Sequence, residues 1–231
     1  FTADYYRKPI IKWNAHNLFN KSEELDEGSW LKITTGAGVA PVVTVDAAIA
    51  PDGTLTADEL IEDTTASSTH NISQGANTST IGQGYTYSAY FKKNTRSFVG
   101  IAIRNGSESL NTSEYTYFDL ENGVVGNIRS GSTAKIENSG NGWYRCSVYG
   151  PATAVTISPF IAINSALNTL SYTGDGASGI YVWGAQLEVA NSHNKPSDYA
   201  PSVDTFTSRA STATYFDSAG VMQSAAINEA R

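Results

Sequence analysis

Only one cysteine, Cys146, and one methionine stand among 231 residues. With a single thiol no internal disulfide forms, so stability has to come from packing, metal or assembly. No run of about 20 apolar residues occurs, which excludes a membrane-spanning helix. No signal-peptide pattern opens the chain either, which begins at Phe1 and so reads as a processed product or part of something longer. Positive charge is scarce: 15 Lys and Arg face 22 Asp and Glu, for a formal net charge of −7. The basic residues are scattered, Arg7-Lys8 and Lys92-Lys93 being no more than pairs. Such a chain repels a phosphate backbone, so nucleic acid is not an expected partner. The three histidines, His16, His70 and His193, lie far apart and show no zinc-ligand spacing. There is no Gly-x-Ser-x-Gly elbow and no phosphate-binding glycine loop. Cys146 has no recognisable base partner and reads as a small buried hydrophobe.

Helix signals are nearly missing as well, while Thr, Ser, Gly, Asn, Val and Tyr are abundant. That composition suits strands and turns. Period-two alternation recurs at short spacing. Tyr85 to Phe91 reads as a strand with Tyr87, Ala89 and Phe91 on one face and Tyr90 and Lys92 on the other. Phe98 to Arg104, Tyr115 to Leu120, Val124 to Arg129 and Ala134 to Glu137 follow. Glu121-Asn122-Gly123 is a hairpin turn, since Asn-Gly matches strand twist. Trp143 to Tyr149, Val155 to Ile163 and Ile180 to Glu188 are the last strong strands. A parallel sheet needs crossover segments for which there is no room, so the expected fold is an all-β antiparallel sandwich of jelly-roll type. One short helix is expected at Ser22 to Trp30, capped by Ser22 with Glu23 and Glu24 in its first turn. Pro196 to Pro201 reads as a linker. Beyond it, Ala213 to Phe216 and Val221 to Ser224 flank the turn Asp217-Ser218-Ala219-Gly220, a hairpin too small to stand alone. The expected organisation is an N-terminal extension over 1–16, a sandwich over 17–195, and a linker with a β-hairpin over 196–231.

Several blocks recur in a recognisable order. Asn17-Leu18-Phe19 leads through Ser22-Glu23 to Trp30. Pro51-Asp52-Gly53-Thr54 precedes Thr56-Ala57-Asp58-Glu59-Leu60. Then come Gly140-Asn141-Gly142-Trp143-Tyr144-Arg145-Cys146 and Gly174-Asp175-Gly176. The last is Gly179-Ile180-Tyr181-Val182-Trp183-Gly184-Ala185-Gln186-Leu187-Glu188. In this order they resemble a module common in bacteriophage tail and fibre proteins. Arg209-Ala210-Ser211-Thr212-Ala213-Thr214-Tyr215 with Asp217-Ser218-Ala219-Gly220 is similar to the segment that often precedes such a module. The resemblance implies a jelly roll like that of carbohydrate-binding modules, a place in the virion among other virion proteins, and a homo-oligomer, with a trimer favoured. It also implies that Arg231 is not a natural end. It fixes no sugar-contacting residue.

Aromatic residues are plentiful, with 13 Tyr and 4 Trp. Sugar rings stack on exposed aromatic faces while flanking polar groups hold the hydroxyls. A binding face for bacterial surface polysaccharide is therefore expected at Tyr90 with Lys92, Tyr117 with Asp119, and Trp143 with Arg145. The competing reading makes Trp143 and Trp183 core anchors, and a one-residue slip in register inverts every assignment. Glycosidases need two carboxyl groups facing across a cleft, roughly 5–10 Å apart. Glu23, Glu24, Asp26 and Glu27 form one acidic cluster, and Asp58, Glu59, Glu62 and Asp63 a second. Neither carries a catalytic pattern, and both read as solvated surface acids. Calcium takes six to eight oxygen ligands, and sugar-binding jelly rolls similar to this module often hold one. Glu23, Asp26 and Asp175 are the candidate ligands. The function expected is a non-catalytic glycan-binding virion module. A purely structural spacer and a polysaccharide depolymerase are the rivals.

Overall fold

The computed structural model describes residues 17–33, 38–109 and 111–202, together with the backbone of two short strands beyond them. The N-terminal extension over 1–16 and the turn at 217–220 lie outside the described residues. Among the described residues fifteen strands run in chain order. The first five are β1 (Trp30–Ile33), β2 (Val42–Ile49), β3 (Leu55–Ile61), β4 (His70–Gln74) and β5 (Asn77–Thr78). Next come β6 (Gly84–Lys93), β7 (Phe98–Asn105), β8 (Thr116–Asp119), β9 (Val124–Val125) and β10 (Thr133–Gly140). The last are β11 (Trp143–Pro151), β12 (Thr156–Asn164), β13 (Gly179–Val189), β14 (Thr214–Phe216) and β15 (Met222–Ser224).

Thirteen of them build two antiparallel sheets. One has the order β1-β4-β12-β7-β8-β9, with β5 on the end of β12; the other has the order β10-β11-β6-β13-β3-β2. The expected all-β antiparallel sandwich is the fold. Its core lies between the sheets, where the alternation read from the sequence holds. Tyr87, Ala89 and Phe91 of β6 meet Val99, Ile101 and Ile103 of β7 in one buried cluster. Cys146 sits in the same cluster, fully buried, and burial pushes its thiol well above the usual range.

In β13 the sequence pattern needs a correction to its phase. Ile180 and Val182 point into the core, and so do Ala185 and Leu187. Strict alternation cannot place all four inward. The register with β6 slips between Trp183 and Gln186, and Gly184 adopts φ +61°. A residue with a Cβ is disfavoured in that left-handed conformation. Asn17 locks the bulge: its Nδ2 donates to Ala185 O (2.9 Å), and its Oδ1 accepts from Leu187 N (3.2 Å).

Residues 22–29 are turns and bends, not the helix expected from Ser22 to Trp30. Too short to hold itself, the segment follows its tertiary partners instead. Ser22 Oγ accepts from Ser202 N at 2.9 Å, Asp58 Oδ2 accepts from Leu25 N at 2.8 Å, and Trp30 pairs with Gln74 across β1 and β4. Strands β1 to β4 are absent from the sequence reading. β4, His70-Asn71-Ile72-Ser73-Gln74, is buried at every position although four of its five residues are polar. At the far end β14 and β15 pair antiparallel, with Phe216 opposite Met222, as the hairpin reading requires.

Candidate functional site

The outer face of the second sheet carries most of the expected glycan residues, and the strand register brings them into rows. Across β11, β6 and β13 the rows are Trp143-Lys92-Tyr181, Arg145-Tyr90-Trp183, Ser147-Ser88-Gln186 and Tyr149-Thr86-Glu188. Tyr90, Lys92, Trp143 and Arg145 thus share one face, as read from the sequence. Facing outward is not the same as facing water. Trp143 is 1% exposed, its Nε1 donates to Ile49 O at 3.0 Å, and it packs with Ala50, Ala57 and Trp183. The curled β2–β3 hairpin covers it, so Trp143 is corrected from stacking platform to anchor. Tyr90 is half-buried, with Trp183 at 5.3 Å, Tyr199 at 6.2 Å and the Arg145 guanidinium 5.2 Å over its ring. Lys92 is partly exposed at the rim.

The segment read as a linker closes this face. Tyr199 packs at a tilt on Trp183, ring centroids 4.7 Å apart, and its hydroxyl donates to Glu23 Oε1 at 2.8 Å. Arg145 Nη1 donates to Ser197 O at 2.7 Å. Ser197 Oγ donates to Glu188 Oε2 at 2.6 Å, and Ala200 N donates to Gln186 Oε1 at 2.8 Å. Asn17 Nδ2 also reaches Ala200 O at 3.0 Å. Residues 196–202 are therefore a strap bonded across the sheet.

The other expected pair sits on the first sheet and is corrected too. Tyr117 is fully buried among Tyr115, Phe160 and Leu170, and its hydroxyl donates to Thr112 O at 2.9 Å. Burial pushes its pKa up to about 12. Asp119 is buried and caps the Glu121-Asn122-Gly123 turn. It accepts from Glu121 N (2.8 Å), Asn122 N (3.1 Å) and Asn122 Nδ2 (2.8 Å). Burial opposes its charge, but these bonds outweigh it and hold the carboxyl below the usual range.

The calcium ligands expected at Glu23, Asp26 and Asp175 are not brought together. Glu23 accepts from Tyr199 under the strap, and burial raises its pKa. Asp175 caps its own loop, accepting from Ala177 N (2.8 Å), Ser178 N (2.7 Å) and Ser178 Oγ (2.7 Å). Those bonds, led by the Ser178 hydroxyl, hold its carboxyl well below the usual range. Among the described residues no three His, Cys, Asp or Glu side chains converge as a metal site. An ion that needs six to eight oxygens finds no such shell here.

Of the acids near residue 60, read from the sequence as solvated, only Glu59 reaches the solvent. Asp58, Glu62 and Asp63 are buried. Glu62 takes a bidentate Arg96 (Nε 2.8 Å, Nη2 2.6 Å), the Tyr172 hydroxyl (2.7 Å) and Asp175 N (2.9 Å). The Glu62 bonds raise the pKa of Arg96. His70 Nδ1 lies 2.8 Å from Asp63 Oδ2, its Nε2 lies 3.3 Å from Tyr172 O, and its ring packs on Tyr172. Sequence spacing gave no hint of this network, because its partners are as much as 113 residues apart.

Two of the concavities lined by described residues border β11. A cavity of ≈ 190 Å³ opens between the sheets beside Ile101, Ile103 and Arg129. Its one cation is spent: Arg129 meets Glu108 at 2.8 Å and Glu114 at 3.1 Å. The second is a groove of ≈ 310 Å³ on the outer face of β10 and β11, walled by His193, Asn194 and Lys195 at the start of the strap. No protein-family model matches the chain, and no curated protein matches it.

Proposed function

We propose that this chain is a non-catalytic jelly-roll module of a bacteriophage tail or fibre, built to hold and display neighbouring parts of the virion. The single observation that carries this reading is the fate of the sequence blocks. Asn17 ties the chain opening to β13 and the strap. Trp30 Nε1 donates to Lys21 O at 2.8 Å, and Trp183 Nε1 donates to Thr56 Oγ1 at 3.0 Å. Asp175 caps a loop, and Gly184 makes a bulge. Every block invests its side chains in rigidity rather than in an open cleft. The buried acids support the non-catalytic part: Glu62, Asp63 and Asp58 are each occupied by donors rather than poised across a groove.

The virion location and a homotrimeric state rest on the resemblance of the ordered blocks to phage tail modules. Repeating a rigid sandwich around a symmetry axis gives a fibre stiffness and repeats any weak contact it makes. An antibody raised against the chain tests the reading on gradient-purified particles from the source culture. Gold label on tails or fibres, with the chain resolved as an oligomer in mild detergent, is the expected result. Particles free of the chain overturn it.

A further inference from the structure

The groove on β10 and β11 has features that the rigid scaffold does not use. Its floor is Tyr149 with Ser147, one edge is Lys135, and the opposite wall is His193, Asn194 and Lys195. Tyr149 is partly exposed, and its ring lies over Gly84, its diagonal neighbour on β6. A Cβ built on Gly84 would come within 2.5 Å of the tyrosine ring. The Tyr149 hydroxyl and the Lys195 ammonium have no hydrogen-bond or ion-pair partner among the described residues. Lys135 pairs with Glu137, but both side chains are nearly half exposed, and water screens such a pair to a weak one. Glu188, the carboxylate in the same row as Tyr149, accepts from Ser197 and Gln186. Thr86, opposite Tyr149 in the ladder, keeps its Oγ1 buried and unbonded. Two lysines and a histidine therefore line one groove with a tyrosine floor, in a protein whose net charge is −7.

We infer that this groove binds an acidic saccharide. One sugar ring stacks on Tyr149, and its anionic substituent faces Lys135 and Lys195. The inference goes beyond the structural reading above and does not depend on it. Flat apolar sugar faces suit an open aromatic ring, while a carboxylate or phosphate group on the sugar meets ammonium groups that are largely uncommitted.

Affinity electrophoresis of the whole chain tests this in gels cast with polygalacturonate, its fully methyl-esterified form, a phosphomannan or neutral mannan. Retardation by polygalacturonate or phosphomannan, and by neither uncharged polymer, is expected. Which acidic polymer acts tells carboxylate from phosphate. The double variant Lys135→Ala/Lys195→Ala changes two exposed side chains and is expected to fold. It should weaken binding at least tenfold, as should Tyr149→Ala, while Tyr149→Phe retains it. Added salt should weaken it as well. No retardation by either acidic polymer, equal retardation by the ester, or wild-type binding in the lysine variant overturns the inference.

Discussion

At Asp58 a carboxylate is only 2% exposed, yet it accepts backbone bonds from Leu25 at 2.8 Å and Asp46 at 3.1 Å. Burial is the larger effect and pushes its pKa up to about 6. A folded-state pKa above the unfolded value means that the folded protein binds the extra proton. Stability therefore rises as pH falls through 6 and is fully gained below the unfolded value near 4. Urea unfolding between pH 7.5 and 4.5 should show a gain of about 2 kcal/mol that Asp58→Asn abolishes; a flat wild-type profile sinks the assignment. The depressed carboxyls of Asp63, Asp119 and Asp175 act in the opposite sense and cost stability only at lower pH. Arg96 gives a second test at this scale. Arg96→Met leaves Glu62 buried with only the Tyr172 and Asp175 donors. Loss of one partner from such a pair costs about 3 kcal/mol, to be read as a fall in the urea midpoint with an unchanged slope. None of these acids was legible as buried, because a carboxylate's solvation depends on residues far along the chain.

Among the elements, β6 and β7 were readable because their alternation is unbroken and their inward faces are aliphatic or aromatic. β13 was readable as a strand but not in phase, since a single bulge at Gly184 moves Gln186 and Glu188 to the outer face. A Cβ at Gly184 would meet Tyr90 at 3.1 Å and Tyr199 at 3.3 Å in a backbone region unfavourable to L-residues. Gly184→Ala should therefore cost about 1–3 kcal/mol, a fall of several degrees in Tm by differential scanning calorimetry. The strap was read as a linker because its composition, with Pro196 and Pro201, is that of one. Tyr199 is what converts it into a bonded element. Tyr199→Ala removes the packing on Trp183 and the bonds to Ser22 and Glu23. It should destabilise by about 2 kcal/mol and shift tryptophan emission to the red as Trp183 meets water. Unshifted emission would mean that the strap does not shield this face.

For the whole molecule, Cys146 at the centre of the sandwich is a reporter of global unfolding. A thiol reagent should titrate no sulfhydryl in the native protein and one after denaturation, and the slow native reaction should track unfolding conditions. Rapid labelling of the folded chain would mean that the two sheets part readily. The same scale decides the functional reading. Trp143 and Tyr117 are large aromatics on outward strand faces, and in an isolated sandwich both would meet solvent. Here the β2–β3 hairpin covers one, and a cluster with Phe160 and Leu170 covers the other.

By itself the sequence determined the class of fold. Period-two patterning, turn residues and one lone thiol leave an antiparallel sandwich as the economical way to bury these side chains. It also determined which residues share a face wherever no bulge interrupts the strand, because that follows from counting along the chain. Tertiary structure alone decided which outward faces stay open. The strap and the β2–β3 hairpin closed the platform at Tyr90 and Trp143, and they left Tyr149 beside Lys135 and Lys195 in a groove whose basic groups are not all spent. Alternation fixes direction relative to a sheet, whereas exposure depends on what the rest of the chain lays over it.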